Sequence, residues 1–455
     1  MNTRVCGRSA AKPQVRVYKD QSRFTERRHS GTASQGNKKK IFGIFGITLG
    51  SVLVLGFVML LVLGRINLPQ TEPEKVEYIS LTEAIPEPVV EEVQEVTEEP
   101  EVLGANVATS KYGDVIKNED YLRENNIFVK EGMETDCVTL GFCGDILFDD
   151  EYAVMASLKM RGGNISSSIS EETLDVMNGV DVMVVNNEFP FTQRGSRLPN
   201  KQFTFHADYD TAYYLNDMGA DVAILANNHA YDFGEEGLLD TLDTLNNVGV
   251  HPVGAGRNLT EAVTPVYYII NDIKIAVVAA SQIERLPNPD TKGATDTSPG
   301  VFRCWENDLI YTAVEVAKQN ADFVVACIHW GRELDENPDT WQLSMAPKLA
   351  EAGADLIIGD HTHRLQGIYY YGNTPCIYSL GNFWFNGSTL DTCLVTATVD
   401  KNGLKSFQFL PAIQSNSSTR LVGGSEGARI INYMRSLSPR AIISDEGFVA
   451  PLGQG

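Results

Sequence analysis

Five continuous apolar runs, each followed by residues that can bind a metal ion, constrain this chain more than any other feature of its sequence. Apolar runs of this length are typical of strands that are covered on both faces of a parallel or mixed α/β sheet. In such sheets, ligands bind beyond the carboxyl ends of the strands. The runs start at residues 138, 181, 221, 323 and 354. The polar residues that follow them are, in the same order, Asp145; Asn186, Asn187 and Glu188; Asn227, Asn228 and His229; His329; and Asp360, His361 and His363. The sequence therefore predicts a site along one rim of the sheet.

The side chains at the ends of these runs combine oxygen and nitrogen donors. His361 and His363 are two residues apart, and the His-x-His spacing commonly gives two ligands to one metal centre. Carboxylate and amide oxygens mixed with imidazoles favour Mn, Fe or Zn over calcium. We therefore predict a site for one or two divalent ions, with candidate ligands Asp145, Glu188, Asn228, His229, His329, His361 and His363. A carboxylate shared by two ions is the usual basis of a hydrolytic site that activates water and clamps the reacting oxygens.

Three segments precede the globular part of the chain. Residues 1–40 carry eleven Lys or Arg against two acidic residues, which predicts a disordered basic arm in the cytoplasm. Residues 41–64 contain no charge, and at about 1.5 Å per residue a helix of this length crosses a ~30 Å hydrocarbon core. No small-residue cleavage site follows, so we expect a single-pass signal anchor in the cell membrane with the rest of the chain outside. Residues 65–110 contain eleven Glu and several Pro, which indicates an extended acidic linker.

The composition becomes globular over residues 111–438, where strand-like and helix-like segments alternate. Each candidate helix lies between two apolar runs, and this order predicts α/β connectivity. These helices are expected at residues 171–177, 208–218, 235–248, 306–319 and 341–351. Later strands at 375–380, 392–399 and 405–410, the last two joined by an Asn402-Gly403 turn, predict a mixed sheet. A last helix near 427–436 closes this domain, and residues 439–455 are predicted to be a C-terminal tail.

Charge and cysteine usage limit the possible partners and chemistry. The net charge is −22, and because the charges before residue 106 cancel, residues 106–455 carry all of it. A domain this acidic is a poor match for nucleic acid, and it suits a polyanionic substrate only if metal ions screen the charge. Six cysteines follow the basic arm without a C-x-x-C spacing, mostly inside apolar runs, which favours buried free thiols over disulfides or catalysis.

Five motifs, taken in order, resemble a known family. They are Gly144-Asp145, Asn186-Asn187-Glu188, Asn227-Asn228-His229 with Asp232, His329-Trp330-Gly331, and Gly359-Asp360-His361-Thr362-His363. The set resembles the CapA family of capsule-synthesis proteins (poly-γ-glutamate biosynthesis, PgsA-like), which belongs to the calcineurin-like metallophosphatase superfamily. The resemblance spans residues 138–438. It implies a metallophosphatase-like α/β/β/α sandwich with mixed sheets, preceded by one N-terminal transmembrane helix.

The resemblance also implies two metal positions that share one carboxylate. The implied ligands are Asp145 and His363 at the first metal, Glu188 as the bridge, and Asn228, His329 and His361 at the second metal. Two departures from the superfamily concern this arrangement. The opening Asp-x-His is Asp145-Ile146-Leu147 here, so the first metal loses a ligand, which Asn186 could replace. The bridging residue is Glu rather than Asp.

The implied catalytic residues are His229, as general acid to a leaving oxygen, and Asp232, which could orient it. Asp360 stands where the superfamily often has a histidine, and it is either a partner for an imidazole or a turn residue. The implied function is synthesis or export of an anionic capsule polymer, in concert with membrane-embedded capsule synthesis proteins. Two alternatives stay open: an active cell-surface metal-dependent phosphoesterase with a phosphoester substrate, and a non-catalytic scaffold that binds the polymer.

Overall fold

The computed structural model describes residues 110–283, 291–305 and 308–453. The predicted basic arm, the signal anchor and almost all of the acidic linker, residues 1–109, lie outside this part of the chain. Among the residues that the structure describes, no helix is both long and apolar enough to cross a membrane.

The described residues form nineteen strands, most of them in two large sheets. In chain order they are β1 (Ile127–Val129), β2 (Cys137–Ile146), β3 (Val182–Asn187), β4 (Ala220–Ile224), β5 (His251–Val253), β6 (Ala255–Gly256), β7 (Val266–Ile270), β8 (Ile273–Ser281), β9 (Gly300–Val301), β10 (Phe323–His329), β11 (Leu356–Asp360), β12 (Leu365–Tyr371), β13 (Thr374–Leu380), β14 (Asn382–Trp384), β15 (Leu390–Asp400), β16 (Gly403–Ser415), β17 (Ser418–Leu421), β18 (Ala441–Ile443) and β19 (Val449–Pro451).

Ten α-helices connect and cover these strands within the described ranges. They are α1 (Gly113–Ile116), α2 (Glu119–Glu124), α3 (Ala153–Met160), α4 (Glu171–Asn178), α5 (Tyr213–Asp217), α6 (Gly234–Asn247), α7 (Leu259–Val263), α8 (Leu309–Asn320), α9 (Thr340–Glu351) and α10 (Gly424–Leu437). The predicted helix at 208–218 is divided into a 3-10 turn, Tyr209–Ala212, and the short α5.

Both large sheets are mixed, as the sequence predicted. Sheet A has the order β1-β7-β8-β10-β11-β13-β12, and sheet B has the order β17-β16-β15-β2-β3-β4-β5, with β14 beside β2. Strands β8, β10, β11 and β13 run parallel, and so do β2, β3, β4 and β5. Antiparallel pairs flank them, including β15 with β16 across the predicted Asn402-Gly403 turn. The two parallel blocks determine where a rim of strand ends can form.

Successive side chains on these strands point to opposite faces of each sheet, and they form three separate apolar cores. In β10, Val325 and Cys327 lie in the core between the two sheets, whereas Val324 and Ile328 pack beneath α8 and α9. Sheet B has the same division, with α3 to α6 on its outer face. Complete burial of one aliphatic side chain contributes about 1.5–3 kcal/mol, so continuous apolar strands are stable only with cover on both faces. The resulting layers are helices, sheet, sheet and helices.

Residues 439–453 differ from the predicted C-terminal tail. Strands β18 and β19 pair antiparallel, and Ile443 and Val449 are buried in the core between the sheets. Gly447 lies in the turn that joins them with φ of +85°, and its carbonyl oxygen accepts a hydrogen bond from Phe409 N at 2.9 Å. Strands of three residues leave only a weak alternating pattern in the sequence, so packing against sheet B, rather than propensity, establishes this hairpin.

The cysteine prediction is confirmed for the six cysteines that the structure describes. All are free and buried: Cys137, Cys143, Cys304, Cys327, Cys376 and Cys393. Burial raises the pKa of the Cys143 and Cys327 thiols well above the usual value. These thiols therefore stay protonated near neutral pH and behave as small apolar side chains rather than nucleophiles.

His251 gives the fold a pH dependence at a position outside the predicted site. Its ring stacks on Phe128 with centroids 3.3 Å apart, and its Nδ1 lies 2.7 Å from the hydroxyl oxygen of Tyr268. Burial lowers the pKa of His251 to about 4. The unfolded chain takes up this proton near pH 6.5, so the contribution of His251 to stability falls as the pH drops from about 6.5 to about 4, and this contribution is constant below that range.

We expect the wild-type chain to lose about 3 kcal/mol more unfolding free energy between pH 7 and pH 4 than a His251→Gln variant does. The excess arises because the unfolded wild-type chain gains this proton over most of that interval, whereas the folded chain begins to gain it only near pH 4. Urea denaturation at both pH values measures the difference. Equal losses in the two proteins would contradict the buried, neutral state assigned to His251.

Candidate metal centre

Parallel strands bring the predicted site residues to one rim. β2 and β3 are neighbours in sheet B, and Glu188 directly follows β3. β10 and β11 are neighbours in sheet A, where His329 pairs in register with Asp360. Because the carboxyl ends of parallel neighbours meet at the same edge, polar residues distant in sequence converge there.

Two groups of potential ligands share Glu188. Glu188, His329 and His361 form one group, and Asp145, Glu188 and His363 form the other; within each group the ligand atoms lie within 4.8 Å of one another. His329 Nε2 lies 3.5 Å from Glu188 Oε1 and 3.0 Å from His361 Nδ1. His363 Nδ1 lies 2.8 Å from Asp145 Oδ2. One carboxylate, that of Glu188, thus belongs to both groups of potential ligands.

Asn228 adds an amide oxygen to the first of these groups. Its Oδ1 lies 2.8 Å from His329 Nε2, the same nitrogen that faces Glu188 and His361. Burial, followed by the nearby His361 and His363, lowers the pKa of His329 well below its usual value. The ring is therefore neutral near pH 7, which is the state that binds metal. The structure thus brings together six of the seven candidate ligands, namely Asp145, Glu188, Asn228, His329, His361 and His363. The seventh, His229, belongs to neither group of the described residues.

Glu188 provides a test of whether a metal fits. It is fully buried, and neither carboxylate oxygen has a hydrogen-bond partner among the described residues. Burial, followed by the charges of Asp145 and Asp360, raises the pKa of Glu188 well above its usual value. A buried carboxylate without a partner costs several kcal/mol, and a divalent cation would remove that cost. The donor set and the unpaired oxygens therefore fit a divalent ion.

The His-x-His turn has an unusual backbone. His361 and His363 have φ of +94° and +56°, in a region that few non-glycine residues adopt. Such a conformation costs about 1–3 kcal/mol and persists only where the surroundings impose it. Gly359 allows the close packing just before the turn, since a Cβ there would collide with the carbonyl oxygen of Tyr378 and with Trp330 Nε1. The strain coincides with the two histidines of the predicted site.

His229 lies beside the ligand groups and is held by Asp232. His229 Nδ1 is 2.7 Å from Asp232 Oδ2, and both side chains are buried. Burial, followed by the charge of Lys201, lowers the pKa of His229. The ring is neutral near pH 7, with its Nδ1 proton donated to the carboxylate. Nε2, on the opposite edge of the ring, is then the atom that can exchange a proton with a bound molecule.

The sequence analysis missed several residues around these histidines. Asn382 Oδ1 lies 2.7 Å from His363 Nδ1. Burial is the largest single effect and lowers the pKa of His363, but the hydrogen bond to Asp145, the charge of Asp145 and the hydrogen bond to Asn382 act together against it, and the pKa is raised. Phe385 packs on His363 with centroids 5.0 Å apart, and Phe205 packs on His229 at 4.2 Å. Asn382 could have been found, because it follows β13, a parallel neighbour of β11 that ends at the same rim.

The structure shows the surroundings of three further positions that the sequence analysis considered. Asn186 Nδ2 donates to Asp145 Oδ1 at 2.7 Å, and its Oδ1 accepts from Asn227 Nδ2 at 3.2 Å, so Asn186 orients Asp145. The position of the superfamily's missing histidine, Leu147, is fully buried and apolar. Asp360 ends β11, and its Oδ1 has no hydrogen-bond partner in the described part of the chain. Burial, followed by the charge of Asp145, raises the pKa of Asp360 well above its usual value.

Comparisons with known proteins agree with the family resemblance of the sequence. A family model described as "Bacterial capsule synthesis protein PGA_cap" matches residues 139–387. The "PGA biosynthesis protein CapA" of Bacillus subtilis is 31% identical over 283 residues, covering 61% of this chain and 71% of that protein. The "Capsule biosynthesis protein CapA" of Bacillus anthracis is 31% identical over 242 residues, covering 52% of this chain and 58% of that protein. A "5'-nucleotidase" of Rattus norvegicus is 26% identical over 177 residues, covering 38% of this chain and 28% of that protein.

Proposed function

Because this chain belongs to the bacterial capsule synthesis protein family PGA_cap, we propose that it serves capsule or poly-γ-glutamate biosynthesis or export through a metal-dependent, hydrolase-type site. Relatives named for capsule and PGA biosynthesis support the biological role. The uncharged run 41–64 supports a placement outside the cell, anchored in the membrane near membrane-embedded synthesis proteins.

The position of Glu188 carries the chemical part of this proposal. It belongs to both ligand groups, and its buried oxygens have no hydrogen-bond partner among the described residues. The mixture of carboxylate, amide and imidazole donors suits Mn, Fe or Zn. The ions would be held by Asp145, Glu188, Asn228, His329, His361 and His363. Bound divalent ions supply Lewis-acid polarisation and a lowered pKa of water.

The chain's own residues would orient the groups and move the proton. His229 would act from its imidazolium form, after Nε2 has taken up a proton from solvent, a form that the hydrogen bond and charge of Asp232 at Nδ1 favour. It would give the Nε2 proton to the leaving oxygen and return to the neutral ring. Asn382 and Phe385 would hold the His363 ring in place, and Asn186 would do the same for the Asp145 carboxylate. The buried surroundings of these groups limit access of bulk water, which strengthens each electrostatic contact.

Two alternatives each have an observation in their favour. The similarity to a 5'-nucleotidase favours an active cell-surface phosphoesterase with a phosphoester substrate. The apolar Leu147 at the position of the missing histidine favours a polymer-binding scaffold with a weakened first metal position. A net charge of −22 means that an anionic polymer would approach this chain only where metal ions or local cations screen it.

Metal analysis and turnover distinguish these possibilities. We expect the full-length chain, purified in detergent without chelators, to hold about two divalent ions and to hydrolyse a generic phosphodiester when manganese is added. Prior treatment with a chelator should abolish the hydrolysis, and added manganese should restore it. One ion or none, with no turnover, would reject the hydrolase and favour the scaffold.

A further inference from the structure

Residues 192–207 form a closed loop that reaches the metal centre. A β-bridge joins Phe191 to Ala207 at its ends, with Thr192 N donating to Ala207 O and Ala207 N donating to Pro190 O, each at 2.9 Å. Compact loops whose ends meet are frequently functional. This loop carries Lys201 to the neighbours of His229.

Asp232 is the point at which this loop attaches to the site. Its side chain is fully buried. Oδ1 accepts a hydrogen bond from Lys201 Nζ at 2.6 Å, and Oδ2 accepts from Phe205 N at 2.7 Å in addition to His229 Nδ1 at 2.7 Å. The backbone oxygen of Asp232 accepts from Leu198 N at 2.9 Å. The carboxylate therefore has a defined orientation, with one oxygen directed to Lys201 and the other to His229.

Lys201 makes a second contact that links this arrangement to the metal ligands. Its Nζ also donates to the backbone oxygen of Asn228. One ammonium group thus connects the carboxylate that holds His229 to the residue that precedes His229 in the chain. The Lys201 side chain is only 11% exposed, so solvent screens these contacts weakly.

We propose that Lys201 is a positioning residue: it fixes the Asp232 carboxylate so that the His229 ring keeps its orientation beside the metal centre. Without the ammonium, Asp232 Oδ1 would be buried with a missing donor, and the carboxylate would turn or draw in water. The effect of Lys201 on turnover rests on the proposed function, whereas the effect of Lys201 on the orientation of the His229 ring does not.

Lys130 offers a matched control at the opposite end of strands β3 and β4. Its Nζ lies 2.6 Å from Asp221 Oδ1 and 2.6 Å from the backbone oxygen of Asp181, so it also joins a carboxylate to a carbonyl. Asp181 directly precedes β3 and Asp221 is the second residue of β4, so both lie at the amino ends of these strands, opposite the rim that holds the site. Lys130→Met therefore measures the loss of a comparable lysine remote from His229.

The first test is spectroscopic and needs no turnover. In the metal-free, full-length chain, the His229 Nδ1 proton should give a low-field proton resonance, assigned by its loss in His229→Ala. We expect Lys201→Met to shift this resonance upfield or abolish it, and Lys130→Met to leave it in place. An unchanged resonance in folded Lys201→Met would overturn the proposal.

The second test is a double-mutant cycle on turnover with added manganese. We expect Lys201→Met to lower kcat about 10- to 100-fold with little change in KM, since small displacements of a catalytic group have effects of this size. In a His229→Ala background, the same substitution should change the residual kcat less than about twofold. Equal losses in both backgrounds would overturn the proposal. Absence of wild-type turnover together with the expected resonance change would reject the proposed hydrolase and support the positioning role.

Discussion

Glu188→Gln is expected to weaken binding of divalent metal by at least about 100-fold, more than any other single ligand substitution. The reason is its place in both ligand groups: with Asp145 and His363 in one, and with His329 and His361 in the other. A neutral amide at this position removes the shared negative charge while keeping the size of the side chain. Titration calorimetry with manganese and metal analysis of the purified chain measure the loss.

The same substitution should have a different effect on stability when metal is absent. The Glu188 carboxyl is fully buried, its oxygens have no hydrogen-bond partner among the described residues, and its pKa is raised well above the usual value by burial. Replacing it by an amide should therefore leave the Tm in chelator unchanged or higher. Manganese at 100 times the Kd of the wild type should raise the free energy of unfolding of the wild type by about 2.7 kcal/mol. The same concentration should leave the free energy of unfolding of the variant almost unchanged.

Glu151→Gln is the matched control for this substitution. Glu151 is 65% exposed at the side chain and forms a surface ion pair with Arg197 at 2.8 Å. We expect it to bind manganese like the wild type and to unfold at nearly the same temperature. A metal affinity in Glu188→Gln equal to that of the wild type would contradict the assignment of Glu188 to both ligand groups.

The rim of the site was predictable because its strands are continuous apolar runs. In β10, seven buried residues end at His329, and in β3 six buried residues are followed by Glu188. The change from apolar to polar residues marks the carboxyl end of such a run, and parallel neighbours place their ends together. This argument extends to Asn382, which follows β13, a parallel neighbour of β11 that ends at the same rim.

The remaining parts of the site depend on contacts that no local pattern encodes. Lys201 and Asp232 are 31 residues apart, and Lys201 lies in a loop without hydrophobic periodicity. The role of Asn186 depends on its hydrogen bonds to Asp145 and Asn227, which follow from its rotamer and not from its position after β3. The positive φ of His361 is likewise imposed by tertiary packing, because local propensity disfavours it.

His229→Ala is expected to lower kcat about 10²- to 10⁴-fold, the usual contribution of a general acid. Metal content should not change, because His229 belongs to neither ligand group of the described residues. This separation of turnover from metal binding distinguishes proton donation from a ligand role. Steady-state kinetics and metal analysis of the same preparation measure both quantities.

The dependence on the leaving group makes this prediction more specific. An alkyl leaving oxygen needs a proton far more than a nitrophenolate does, so the loss in His229→Ala should be larger for an alkyl phosphoester. His206→Ala serves as the control: its Nδ1 faces Thr192 O at 3.3 Å, and its ring packs on Phe233 at 4.4 Å. That variant should turn over both substrates like the wild type. If His229→Ala lowered kcat equally for both substrates, the His229 side chain would act in binding or orientation. Another group would then transfer the proton to the leaving oxygen.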